Sequence, residues 1–290
     1  MDYEGQICRP PMERGSYMLP VAVGCSYNAC KFCMLFKHLK FRELPLEEVE
    51  KELLRVKDLG GYPKRIFLGD GNPFGMDSSH MLKILDLIHK YFPDCNDINM
   101  DATVTNIGEK SDEELRLLYE NGVRELYLGI ECGTEDVLEF MKKDHTVSEA
   151  RKQISRLKAA GLIYSAHIMC GTAGSGRGVE NAENTAAFLN ETGPRRIINT
   201  SLFIHRGAPL YRDIEKGIFK PATELENMLE ERRLIELLTC PVECYDGFHD
   251  HLEVRTRGRI PEDKEKMLSH LDEAIERERD RAESWIAVIA

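Results

Sequence analysis

The 290-residue sequence contains no run of about 18 apolar residues, so no membrane-spanning helix is expected. It has no excess of positive charge: 39 Lys and Arg stand against 50 Asp and Glu, a formal net charge of -11. That balance argues against non-specific binding of nucleic acid, while leaving room for a local basic groove. No low-complexity linker divides the chain, and no repeat is visible beyond an alternation of strand and helix patterns. The stretch from Met1 to Tyr17 is polar and carries acidic residues, so it reads as neither an export nor a transit signal, and a cytoplasmic protein is expected. General disorder is excluded as well, because 42% of the residues are hydrophobic, enough for one large domain or two ordinary ones.

What is present is an unusual supply of cysteine. Nine cysteines without an export signal imply a reducing compartment, where thiols bind metals, catalyse or pack rather than pair. Three of them, Cys25, Cys30 and Cys33, fall within nine residues.

The chain otherwise alternates short apolar runs with amphipathic ones. Strands are expected at Met18–Val23, Arg65–Gly69, Ile98–Val104, Arg124–Ile130, Leu162–Cys170 and Ile197–Ile204. Several are unbroken apolar runs, the pattern of parallel strands buried on both faces. Helices fit between them, with Ser111-Asp112-Glu113-Glu114 and Thr146-Val147-Ser148-Glu149 as capping boxes and Thr134 as the cap of Glu135–Lys142. Six βα units in series predict an α/β fold, either a parallel barrel or an open doubly wound sheet, with the chemistry at the carboxyl ends of the strands. The remainder reads as a helix near Ala222–Leu238, an irregular stretch Cys240–Arg259, and a charged covering helix Pro261–Glu283.

The cysteine loop, Gly24 to Cys33, directly follows the first strand and so lies at that functional end. Three thiolates select iron–sulfur clusters, zinc or copper(I) over hard cations. A structural zinc site wants four protein ligands, and no neighbouring fourth is evident beyond His38. On a four-iron cluster, three thiolates would leave one iron open to a small molecule.

The loop, Cys-x4-Cys-x2-Cys with Phe32 before the last cysteine, resembles that of the radical S-adenosylmethionine (SAM) enzymes, one residue longer than their usual Cys-x3-Cys-x2-Cys. Arg9-Pro10-Pro11, Phe67-Leu68-Gly69-Asp70-Gly71-Asn72 and Leu126-Tyr127-Leu128-Gly129-Ile130-Glu131 resemble the branch that holds the elongator catalytic subunit and oxygen-independent coproporphyrinogen oxidase. Ala208-Pro209-Leu210-Tyr211 and Gly258-Arg259-Ile260-Pro261-Glu262-Asp263-Lys264 fit the same branch. The resemblance implies a partial (β/α)6 TIM-like barrel over residues 1–215 and a helical extension over 216–290 covering it. It implies a [4Fe–4S] cluster on Cys25, Cys30 and Cys33, with SAM on the open iron. One-electron cleavage of SAM then yields a 5′-deoxyadenosyl radical that abstracts hydrogen from a substrate.

By the same resemblance, Phe32 packs near the adenine. Asp70-Gly71-Asn72 stands where relatives bind the SAM amino group, with Asn72 in place of an acid. Glu131 would meet the ribose or methionine part and Lys143 the SAM carboxylate, while Thr103, His167 and Met169 would line the pocket. His205-Arg206 would anchor an anionic group of the substrate. Cys240 and Cys244, with His249 and His251, are a candidate second metal site. The implied partners are a small-molecule substrate and an electron donor such as flavodoxin or ferredoxin. No room is seen for a separate RNA-binding domain. The alternatives are a cluster-bearing electron carrier or scaffold without SAM chemistry, a tRNA-modifying member of the same superfamily, and a zinc-stabilised hydrolase.

Overall fold

The computed structural model describes residues 4, 8–249, 253–280, 286 and 288–289. Its main sheet has eight strands: β1 (Tyr17–Pro20), β2 (Arg65–Gly69), β3 (Asp97–Ala102), β4 (Val123–Glu131), β5 (Ile163–Cys170), β6 (Arg196–Ser201), β7 (Val242–His249) and β8 (Val254–Ile260). They follow one another across the sheet in chain order. The pairings β1–β2, β2–β3, β3–β4, β5–β6 and β6–β7 are parallel, and only β7–β8 is antiparallel among the pairings described within this sheet. All six expected strands are therefore present, in the mostly parallel α/β arrangement expected of βα units. Ile66, Phe67 and Leu68 of β2 are fully buried, as their unbroken apolar run requires.

The chain divides into two compact units. One comprises residues 1–28, 35–129 and 152–164, and the other residues 29–34, 130–151 and 165–290. In the first unit, helix Ser78–Tyr91 buries Met81, Ile84, Leu85 and Ile88, and Asp77 caps it by accepting from the Ser79 amide at 2.9 Å. The capping box at Ser111 forms as expected: the Glu114 amide donates to Ser111 Oγ at 3.1 Å, and the Ser111 amide donates to the Glu114 carboxylate at 2.7 Å.

In the second unit the Thr146–Glu149 box also forms. Thr134 does not cap the helix after it. Its hydroxyl donates instead to Asn181 Oδ1 at 2.7 Å, and that helix is short, Glu135–Phe140.

The largest departure from expectation is Cys240–Arg259. It is not irregular, because β7 and β8 occupy most of it. Their polar residues had hidden the strand pattern, and a buried partner explains them. Helix Glu224–Leu237 turns Glu224, Glu230 and Glu231 inward, all buried, against this sheet. His249 of β7 lies between two of these carboxylates, Nδ1 3.2 Å from Glu224 and Nε2 2.8 Å from Glu231. Tyr245 donates to Glu231 at 2.9 Å, and Ser201 of β6 donates to Glu224 at 3.0 Å. Gly247 has no side chain because a Cβ there would overlap the Glu231 carboxylate. A buried polar layer of this kind is stable only when its donors and acceptors are matched.

The same layer holds one member of the candidate second metal site, His249. Both His249 ring nitrogens are engaged by glutamates, and His251, with Asp250, lies outside the described residues. The charged helix expected over Pro261–Glu283 spans Lys264–Arg279, and residues 281–283 lie outside the described residues. No helix among the described residues is long and apolar enough to cross a membrane.

Candidate active site

In the first unit, the chain leaves β1 and reaches Gly24 and Cys25. Gly24 adopts φ +84°, and its carbonyl accepts from the Asn72 amide at 3.3 Å. Gly71 lies so close to that carbonyl that a Cβ would overlap its oxygen, so the expected segment Asp70-Gly71-Asn72 backs directly onto the start of the cysteine loop. The buried Asn72 side chain completes the join. Its Oδ1 accepts from the Ser26 amide at 2.7 Å, and its Nδ2 donates to Asn106 Oδ1 at 2.7 Å and to Ser26 Oγ at 3.0 Å. Thr103 caps helix Val104–Gly108, accepting from the Asn106 amide at 3.2 Å. The Asn72 and Thr103 side chains thus shape the loop that carries Cys25, and an asparagine suits position 72 because it can both accept and donate.

The sequence reading missed Asp101 and Glu13 of this unit. Burial, reinforced by the nearby negative charges of Glu13 and Asp70, pushes the Asp101 carboxyl up to about 8. Glu13 is fully buried and accepts from Tyr127 at 2.8 Å and Asn99 at 3.0 Å. The available signal was a lone acid inside the apolar run Ile98–Ala102.

The second unit holds Cys30, Phe32 and Cys33. Phe32 is buried, and Cys30 and Cys33 are half-buried. Beside them stands a buried charge group. Lys143 Nζ lies 3.2 Å from Glu131, at the end of β4, and 3.3 Å from Asp144. Burial disfavours the Lys143 charge, but the two carboxylates outweigh it and hold the ammonium well above its ordinary range. Asp144 in turn lies 3.1 Å from His145 Nδ1.

The Cys30 thiol is pushed up to about 12, chiefly by burial, with Lys143 opposing and Glu131, Cys33 and Asp144 adding to the rise. Such a thiol becomes a good thiolate ligand only when a cationic metal centre offsets these terms. His167 is depressed to about 4 by burial and then by Lys143, so its ring is neutral at physiological pH. Met169 and Glu131 line a small cavity with Asn199 and Glu230.

His205 and Arg206 stand in a different setting of the same unit. The His205 strand pairs with Val288–Ile289, and the Arg206 guanidinium lies 5.8 Å from the centre of the Tyr211 ring. Neither makes a hydrogen bond or ion pair with the Glu131–Lys143 group among the described residues. The turn that follows them does reach the cysteine loop: a Cβ on Gly207 would stand 3.1 Å from Met34 Cε, and the Leu210 amide donates to the Lys31 carbonyl at 3.0 Å.

No three His, Cys, Asp or Glu side chains among the described residues converge on one metal ion. A zinc centre needs its ligands on a single ion, whereas the cysteines of a four-iron cluster bind separate irons. None of the nine cysteines is in a disulfide.

The chain is similar to several known proteins. The chain is 25% identical over 233 residues to the heme chaperone HemW of Bacillus subtilis (strain 168), covering 77% of this chain and 59% of the relative. It is 28% identical over 116 residues to a tRNA uridine(34) acetyltransferase of Methanocaldococcus jannaschii, covering 40% of this chain and 21% of that protein. The chain thus covers less than two thirds of the length of each of these relatives. The coproporphyrinogen III oxidase HemN of Escherichia coli, a radical SAM enzyme, shares the fold with a TM-score of 0.53 at 15% identity, over 64% of this chain and 44% of that one. These matches fall in the branch that the motifs indicated. Residues 19–189, more than half of the sequence and including all three loop cysteines, match the radical SAM superfamily, and the chain belongs to that family.

Proposed function

We propose that this chain is a radical SAM enzyme in which Cys25, Cys30 and Cys33 hold a [4Fe–4S] cluster, and that it acts on a small molecule. The cluster and SAM are the family's cofactors, and together they supply a carbon radical by one-electron cleavage of the sulfonium. The observation that carries the reading is the buried Glu131–Lys143–Asp144 group beside Cys30 and Cys33. One ammonium with two carboxylates offers acceptors to the hydroxyls and ammonium of a polar ligand and a donor to its carboxylate. His167, kept neutral, offers this surface a hydrogen bond rather than a second charge. Asn72, through Ser26, holds the start of the loop so that Cys25 keeps its place. A small substrate, rather than tRNA, is supported by the net charge of -11, which would repel a polyanion.

The test is anaerobic reconstitution with iron and sulfide, reduction with dithionite in the presence of SAM, and assay for 5′-deoxyadenosine. Wild-type protein should form it, and Cys30→Ala should lose both the iron–sulfur absorption and the product. Iron–sulfur absorption without 5′-deoxyadenosine would favour an electron carrier. About one zinc per chain with no sulfide would favour a metal-stabilised hydrolase.

A further inference from the structure

We propose that the surface formed by residues 206–220, packed on the cysteine loop, is the docking site of a small acidic protein that carries single electrons. This rests on the loop being the cluster site. The segment holds Arg206, Arg212, Lys216 and Lys220 against Asp213 and Glu215, a local positive balance on a chain whose total is -11. Asp213 is already neutralised by Lys31 of the cysteine loop, at 2.8 Å.

Among the described residues the remaining cations have no carboxylate partner. Arg212, Lys216 and Lys220 are exposed and make no ion pair or side-chain hydrogen bond with any described residue. Elsewhere in the same unit Arg151, Arg177, Arg195, Arg232 and Arg233 are each paired with a carboxylate. Exposed cations without local partners are the form that electrostatic steering of an anionic partner takes.

The patch also has an apolar centre. Ile218 is 61% exposed, and next to it Phe219 stacks on Phe140 with 5.7 Å between ring centres. Ile218, Phe219, Lys220, Phe140 and Arg177 line an open groove of about 280 Å³. The Lys31 ammonium lies over the Phe140 ring of this pair, 3.8 Å from its centre. Lys31 is bonded in sequence to Cys30, so a carrier seated on the groove stands next to a cluster ligand. An apolar centre ringed by charge is the usual anatomy of a specific protein interface. RNA fits the patch less well, because Asp136, Glu180 and Glu215 lie among its few cations. In the transfer itself one electron leaves the reduced carrier and enters the oxidised cluster, and no bond or proton moves.

The experiment uses the reconstituted holoprotein in stopped flow, following bleaching of the cluster absorption by a flavodoxin in its hydroquinone form. Dithionite serves as the reductant that needs no docking. The triple variant R212E/K216E/K220E should be reduced by flavodoxin about 10-fold or more slowly at low ionic strength, and added salt should slow the wild type but not the variant. Reduction by dithionite should be the same in both, and K266E, a reversal on another element, the helix Lys264–Arg279, should behave as wild type. Equal flavodoxin rates in triple variant and wild type would overturn the docking site while leaving the cluster in place. Loss of tRNA binding by the triple variant, with its flavodoxin rate intact, would overturn it in favour of nucleic acid. A wild-type protein that takes up no cluster would overturn both this proposal and the reading beneath it.

Discussion

Replacing His249 by Gln removes a charge on which the carboxyl-terminal strands are assembled. In the native protein the two glutamates that flank the ring overcome its burial and raise its pKa from 6.5 to about 9. A rise of that size is worth about 3 kcal/mol. The sign follows from the direction of the rise. The folded state holds the proton more tightly than the unfolded one, so this stability is fully present below pH 6.5 and is lost as the pH climbs through about 9. Glu230, pushed up to about 7 by burial, also favours the folded state at lower pH, but its effect is complete before the His249 window is half crossed. Urea unfolding followed by circular dichroism, at intervals from pH 6 to pH 10, separates the two. At pH 6 the His249→Gln protein should be less stable than wild type by about 3 kcal/mol, and the gap should narrow steadily towards pH 10. Taking the difference between the two proteins cancels the buried thiols, which titrate in both. A gap that is absent at pH 6, or that stays constant to pH 10, would refute the imidazolium bridge.

Other substitutions test the site. Lys143→Met leaves Glu131 and Asp144 buried without their cation and should cost about 3–5 kcal/mol in urea unfolding. Asn72→Ala strips the Ser26 amide and Asn106 of their partner; it should cost about 1–3 kcal/mol and lower the iron and sulfide retained after reconstitution. Gly71→Ala drives a methyl group into the Gly24 carbonyl at a positive φ, so its melting temperature should fall further than that of Gly176→Ala, where φ is also positive but no atom lies within 4 Å.

The strands β1 to β6 were legible because each is a local apolar run, and burial on both faces needs no knowledge of the neighbour. The helix caps at Ser111 and Thr146 were legible for a similar reason, since donor and acceptor lie three residues apart. Thr134 has the same chemistry, yet its partner is Asn181, 47 residues away, and a more distant acceptor took the hydroxyl from the cap. The cysteine spacing pointed to the family from a ten-residue window. The Lys143 group was visible only in part: Lys143 and Glu131 were picked out singly, but Asp144 and the burial that binds the three together were not.

By itself the sequence determined the βα order, the thiol-rich loop at the functional end of the sheet and the family to which the chain belongs, because these depend on residue type and short spacing. Only the tertiary structure decided that Val242–His249 and Val254–Ile260 are strands. Their Asp, Gly and His residues read as a loop until Glu224 and Glu231 arrive from another helix to match them. It also decided that Asn72 clamps the cysteine loop and that Lys143 keeps its charge while buried. Hydrogen bonds and ion pairs between residues tens of positions apart set both outcomes, and no local pattern encodes which of several polar partners a buried group will meet.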